Sequence, residues 1–366
     1  MTFRALVVSY GTTIVVLVAL LVTVSVVDGT FSILALDLQT QQIGGILATC
    51  LARDEIGYTI DNIVANASLV AVPCRGGIIA QGWWELSSPE PLKTVGEPLL
   101  LDSQNHLSAR DILHRMTDPS VDDTAIQFSD TFSTQFYKLR QYGVVTPTSA
   151  SIYSGSDLVN QVPTLLGFPN GNVQGEAAIL DDTLVYSIQG NLIASNTIEE
   201  ASRALLNATM SQHDDDICMD LPQMLVHAMV SADSATGGDV RCIGETFAYI
   251  RVVGPTGEVQ LDIQVHLSSN FTGPNALERL ESEFDAWRMQ HPCGSASQPY
   301  QCPASTIVSQ SPLTWSPTSV PTRTTESPTQ APSSQAHPLK VKWVWVLALA
   351  SWSWQHLQPF LIENLI

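Results

Sequence analysis

The residue with the greatest chemical promise in this 366-residue chain is Thr30. A hydroxyl becomes a strong nucleophile when a base stands beside it. The α-amine of a Ser, Thr or Cys serves as that base once the residue is the first of the mature chain. Upstream of Thr30, Arg4 and the free amine form a short positive region, and an apolar run from Ile14 to Val22 follows. Val27 and Gly29 then satisfy the small-residue rule at −3 and −1 of a signal-peptidase site, so that residues 1–29 read as a signal peptide. Cleavage after Ser25, and an uncleaved signal anchor, are the rival readings. Thr30 also opens a strand-like run, and an ordinary strand threonine is the alternative to a nucleophile.

Other groups could support such chemistry. Gln189-Gly-Asn191 leaves a strand through a glycine, and its amides could donate to an oxyanion, or simply hold a turn. Asp239 and Arg241 flank Val240 after Gly237-Gly238, as a charged pair beside a site or as a surface ion pair. Gln81 before Gly82 is a candidate of the same kind. His213, Asp214, Asp215 and Asp216 with Asp220 carry divalent-cation ligand chemistry, but carboxylates just before a helix more often complement its dipole. We therefore assign no metal site and no cofactor. There is no G-x-S-x-G elbow, no H-E-x-x-H, no Walker-type loop and no G-x-G-x-x-G after a strand.

The composition places this chemistry outside the cytosol. The net charge is −19, with residues 1–29 neutral and residues 303–366 at +1, so the middle carries −20. That field repels nucleic acid and anionic headgroups. Six cysteines without CxxC pairs point to disulfides, and sequence proximity suggests Cys50–Cys74, Cys218–Cys242 and Cys293–Cys302. Asn66, Asn207 and Asn270 open glycosylation acceptors. Residues 303–338 are Ser/Thr/Pro-rich, a disordered stalk by composition. Residues 339–366 form a hydrophobic tail that fits a removable lipid-anchor signal or an interfacial tail. The expected location is secreted or on the extracellular face of the plasma membrane, with the membrane reached only through that anchor.

The elements that must hold these residues lie in residues 30–302. Thr30–Asp37 and Gly44–Leu51 read as a hairpin across a polar turn, and Ser68–Pro73 with Gly76–Leu86 as a second. Tyr137–Thr146, Ala150–Tyr153 and Ala177–Ile188 read as strands, and Arg241–Val253 with Glu258–Leu267 as a last hairpin. Helices start at Ser108, Thr197, Asp220 and Gly273-Pro274, the last running to about Met289. Paired hairpins separated by paired helices suit an α+β fold of two stacked antiparallel sheets with helices outside.

The chain resembles the domain-of-unknown-function family 1028. The resemblance rests on Thr30–Asp37, Ile43-Gly-Gly-Ile-Leu-Ala-Thr49, Gly77-Ile-Ile-Ala-Gln81, Leu107–Leu113, Arg140–Val145, Ser187–Ser195 and Gly237–Arg241, in the family's order. After Arg241 this chain departs, with Cys242-Ile-Gly-Glu-Thr-Phe in place of a polar stretch, and Val121–Phe136 is longer than usual. The resemblance implies an αββα sandwich like that of N-terminal-nucleophile (Ntn) hydrolases, beginning at or near Thr30. The expected function is then a secreted or surface-tethered amide hydrolase of a small-molecule or peptide substrate. Thr30 is its nucleophile, with Gln189, Asn191, Asp239 and Arg241 around it. The alternative is a non-catalytic binding module of the same fold on a glycoprotein stalk.

Overall fold

The computed structural model describes residues 30–50, 68–82, 91–102, 106–129, 132–165, 167–168, 171–211, 219–242, 244–268, 270–292 and 299–303. The signal peptide, most of the stalk, the hydrophobic tail, Asn66 and the 213–216 run lie outside the described residues. Among the described residues, no helix is long and apolar enough to cross a membrane.

Among the described residues, twelve strands form two main sheets and a small hairpin. In chain order they are β1 Thr30–Asp37, β2 Ile43–Thr49, β3 Leu69–Val72, β4 Gly76–Gly82, β5 Ala125–Ser129, β6 Phe132–Gln135, β7 Arg140–Thr146, β8 Ser149–Ser154, β9 Asn172–Leu180, β10 Leu184–Ile193, β11 Phe247–Val253 and β12 Val259–His266. The larger sheet runs β12-β11-β2-β1-β10-β9 and the smaller β3-β4-β7-β8, antiparallel throughout. The helices are α1 Glu97–Leu101, preceded by a π-helical turn at Leu92–Gly96, then α2 Ala109–Met116, α3 Ser156–Asn160, α4 Val162–Leu165, α5 Thr197–Ser211, α6 Leu221–Thr236 and α7 Ala276–Gln290.

Side-chain alternation decides the layers. On β1, Phe31, Ile33 and Ala35 face α5, α6 and α7 through Leu205, Leu225, Leu280 and Phe284. Leu34 and Leu36 point the other way and meet Ile79 and Val145 of the smaller sheet. The far face of that sheet packs Ile78, Tyr142 and Val144 against Leu92, Leu100 and Ile112. Because β1 is buried on both faces, its sequence is a nearly unbroken apolar run. The α+β reading with two antiparallel sheets therefore holds.

Local signals explain most boundaries. Ser108 and Asp111 form a reciprocal capping box at α2, and Asp220 caps α6 by accepting from the Gln223 amide. Three expectations need correction. Ala177–Ile188 is not one strand: Asp181 and Asp182, with φ of 44° and 54°, turn the chain between β9 and β10. Residues 241–246 precede β11 rather than belonging to it, because the first turn after α6 is committed to other contacts described below. The cysteine pairing by sequence proximity also fails, since the bonds are Cys50–Cys242 and Cys74–Cys302. They join residues 192 and 228 positions apart that the sheets bring together. Cys218 and Cys293 lie outside the described residues.

Candidate functional site

Thr30 is the first residue of β1, and β1 sits in the interior of the larger sheet between β2 and β10. Its register pairs it with Thr49 at the end of β2 and with Asn191 near the end of β10. The Thr30 hydroxyl donates to Thr49 Oγ1 at 3.3 Å, and its carbonyl accepts from Gln81 Nε2 at 3.3 Å. The side chain is 5% exposed, at one end of the space between the sheets.

What closes the edge of β10 beyond Asn191 is informative. Ile193 pairs on one side with Asn172 of β9 and on the other with Asp239. The Val240 amide donates to the Leu192 carbonyl and the Ala194 amide to the Gly238 carbonyl, each at 3.0 Å. Residues 238–240 thus occupy the position along β10 that β1 would take if it continued upstream of Thr30. Leu192, at φ 54°, makes the bulge that turns the end of β10 toward this segment.

Asp239 is 2% exposed and spends its carboxylate on Arg241. Oδ1 accepts from the Arg241 amide at 3.0 Å and from Nε at 3.1 Å, and Oδ2 accepts from Nη2 at 2.7 Å. The next residue, Cys242, is bonded to Cys50, which directly follows Thr49. A covalent bond thus ties the Gly-Gly-Asp-x-Arg segment to the strand beside Thr30. The structure places Thr30, Gln81, Asn191, Asp239 and Arg241 at this one end of the sandwich.

Gln189 and Asn191 are also here, but not as a turn. Both lie inside β10, where Gln189 pairs with Ser32 and Gly175, so their backbone is part of the ladder and only the side chains remain for chemistry. Asn191 Nδ2 donates to Gln141 Oε1 at 3.2 Å. Gln141 is a hub that sequence reasoning missed. Its Oε1 also accepts from Gln81 Nε2 at 2.6 Å, and its Nε2 donates to Ser154 Oγ and to the carbonyls of Gln174 and Gly190. Gly143, two residues on, lets the facing sheet come close: a Cβ there would stand 2.3 Å from both Gln189 Oε1 and Ser187 Oγ.

A second buried group lies behind the segment. Glu245 and Asp233, the latter in the last turn of α6, hydrogen-bond to one another around Gly238. Burial, and then the Asp233 carboxylate, push Glu245 from 4.5 up to about 8, and burial raises Asp233 as well. The pair therefore shares a proton at neutral pH. Asp220 caps α6 and pairs with Arg288, and no cluster of three or more metal-ligating side chains occurs among the described residues.

No family model matches the chain, and no curated protein does. Among solved structures, the chain is similar to a crystal structure of a Silicibacter pomeroyi protein described as a family model of DUF1028. The identity is 17%, the TM-score 0.47, and the match covers 71% of this chain and 86% of that one.

Proposed function

We propose that this is an exported amide hydrolase in which Thr30, freed at its amine by removal of residues 1–29, is the nucleophile. The observation that carries the reading is the filled edge beyond Asn191. Gly238–Val240 take the next place along β10 beyond the Thr30–Asn191 pair, and the candidate cleavage bond is the one that precedes Thr30. In the αββα layering of the Ntn type, this is the end at which a terminal threonine would meet its substrate.

The chemistry follows from the groups present. Thr30 Oγ1 attacks the amide carbonyl as its proton passes to the α-amine, and a tetrahedral oxyanion forms. The ammonium then returns the proton to the departing amine, leaving an ester on Thr30, which water hydrolyses with the same amine as base. Side-chain N–H groups of Asn191 and Gln189, on the inner face of β10, supply uncharged donors for the oxyanion. Asp239 and Arg241, neutralised by each other, hold the segment beside the amine without fixing a net charge there.

The disulfides and the acidic surface agree with an extracellular setting, and Asn207 and Asn270 are both exposed for glycan attachment. The test begins with the mature N-terminus. Sequencing of exported protein is expected to read Thr30-Phe-Ser, and an amide-directed acylating probe is expected to label wild type and Thr30→Ser but not Thr30→Ala. A mature chain starting at Val26, or retaining residues 1–29, leaves the amine in a peptide bond and sinks the hydrolase reading in favour of a binding module.

A further inference from the structure

We infer that the space between the sheets, inward from Thr30, is a binding site for an uncharged carboxamide group of a small molecule or peptide. Ser32, Gln81, Ser187, Gln189 and Asn191 line it. The inference holds whether or not Thr30 is a nucleophile, since binding needs no turnover.

The inner faces of the same strands change character partway along. On β1, Thr30 and Ser32 give way to Leu34 and Leu36, and on β10, Asn191, Gln189 and Ser187 give way to Val185. Across the gap, Gln81 gives way to Ile79 and Gln141 to Val145, with Gly143 between them. One end of the interior is therefore an apolar core and the other is polar, although every one of these polar side chains is 5% exposed or less. Leucine or valine would fill such positions at no polar cost.

Six atoms of the polar end have no hydrogen-bond partner: Ser32 Oγ, Gln81 Oε1, Ser187 Oγ, both side-chain polar atoms of Gln189, and Asn191 Oδ1. An unpaired buried polar atom costs about 1–3 kcal/mol, so a set of this size in one place is rare in native interiors. Gln141 is not part of the set, because its amide is fully engaged in bracing Gln81 and Asn191. Ser187 Oγ and Gln189 Oε1 lie against the Gly143 backbone, which offers them no side-chain partner.

The character of the atoms selects the ligand. Three amide oxygens and two hydroxyls accept, while the Gln189 amide nitrogen and the hydroxyls donate. A primary carboxamide supplies two N–H donors and a carbonyl acceptor, and so answers both kinds. Asp239 and Arg241, the charged side chains placed at this end, are paired with each other, so neither offers a counter-charge to an ionised ligand.

The experiment is a ligand-observed NMR titration of the exported protein with propionamide, propionate and propylammonium. Propionamide is expected to bind at least tenfold more tightly than either ion. Gln189→Leu keeps the volume and removes two of the unpaired atoms, so the variant should fold at least as stably as wild type. It is expected to bind propionamide about tenfold more weakly, the loss of one to two net hydrogen bonds. Ser187→Ala should weaken it less. Equal affinity for wild type and Gln189→Leu, equal affinity for the charged probes, or a crystal grown with propionamide that shows only ordered water between the sheets would each overturn the inference. Inactivity of the protein toward amide substrates would not, which keeps this test separate from that of the hydrolase reading.

Discussion

Glu245→Gln is the perturbation whose outcome the structure fixes most closely. In the folded chain Glu245 holds its proton up to about pH 8, against an ordinary 4.5, because burial and then the neighbouring Asp233 carboxylate disfavour its charge. On unfolding it reverts toward 4.5, so between these values the folded state binds one proton more than the unfolded state. Stability is then fully present below pH 4.5 and falls as pH rises toward 8, by about 1.4 kcal/mol for each pH unit crossed. Glutamine stays neutral and can still donate to Asp233, so the variant lacks this loss. Urea unfolding of both proteins at pH 5, 6, 7 and 8 reads the effect together with any change in its partner Asp233, whose own shift Glu245 influences. The expected gap between the two curves grows with pH, to on the order of 4 kcal/mol across that range. Parallel curves would show that Glu245 ionises normally in the fold and that the proton-sharing pair behind Gly238 does not exist.

Four further outcomes follow from particular contacts. Gly143→Ala drives a methyl into Gln189 Oε1 and Ser187 Oγ, each 2.3 Å away, and should cost about 1–3 kcal/mol in urea unfolding. Thr30→Ala should abolish probe labelling while shifting the unfolding midpoint only slightly, because the residue opens its strand. Thr30→Ser should retain labelling. Replacing Cys50 and Cys242 by serine should lower stability by about 2–5 kcal/mol, with a larger effect on labelling than the same change at Cys74 and Cys302. With those two bonds formed, complete pairing of six cysteines leaves Cys218 with Cys293, and Asp220 and Arg288, two and five residues from them in sequence, form an ion pair. Non-reducing peptide mapping should recover that bridge and no labelled thiol.

Local chemistry made much of the fold legible. Strands β1 and β2, the capping boxes at Ser108 and the Asp220 cap each announce themselves within a few residues, and the structure has them within a residue or two of the expected places. What failed depended on distance in sequence. The Asp181-Asp182 turn lacks the glycine that usually marks positive φ, so β9 and β10 read as one strand. The cysteine partners are set by which strand ends the sheets bring together, which sequence proximity does not encode. Gln189-Gly-Asn191 resembled a strand exit because of its glycine, yet Gly190 lies within the ladder between Phe31 and Gln174. Ser32, Ser187 and Gln141 went unnoticed, although a signal existed: in β1 and β10 polar residues recur at every second place, the period of one strand face. Glu245 carried no such mark, since its partner lies on a separate helix.

The bond between Cys74 and Cys302 has a mechanical meaning. Cys74 stands at the β3–β4 turn, and Tyr300 is held to the Gln39 carbonyl in the β1–β2 turn, so the chain leaves the described domain at the end of β1 opposite Thr30. The length of the eight-residue strand, roughly 25 Å, separates this exit from the site. A pull on the stalk side of Pro303 would first meet a covalent bond rather than the hydrogen bonds of a strand. Load applied there would enter the fold at the β3–β4 turn and bypass β1, leaving the polar end of the strands undeformed.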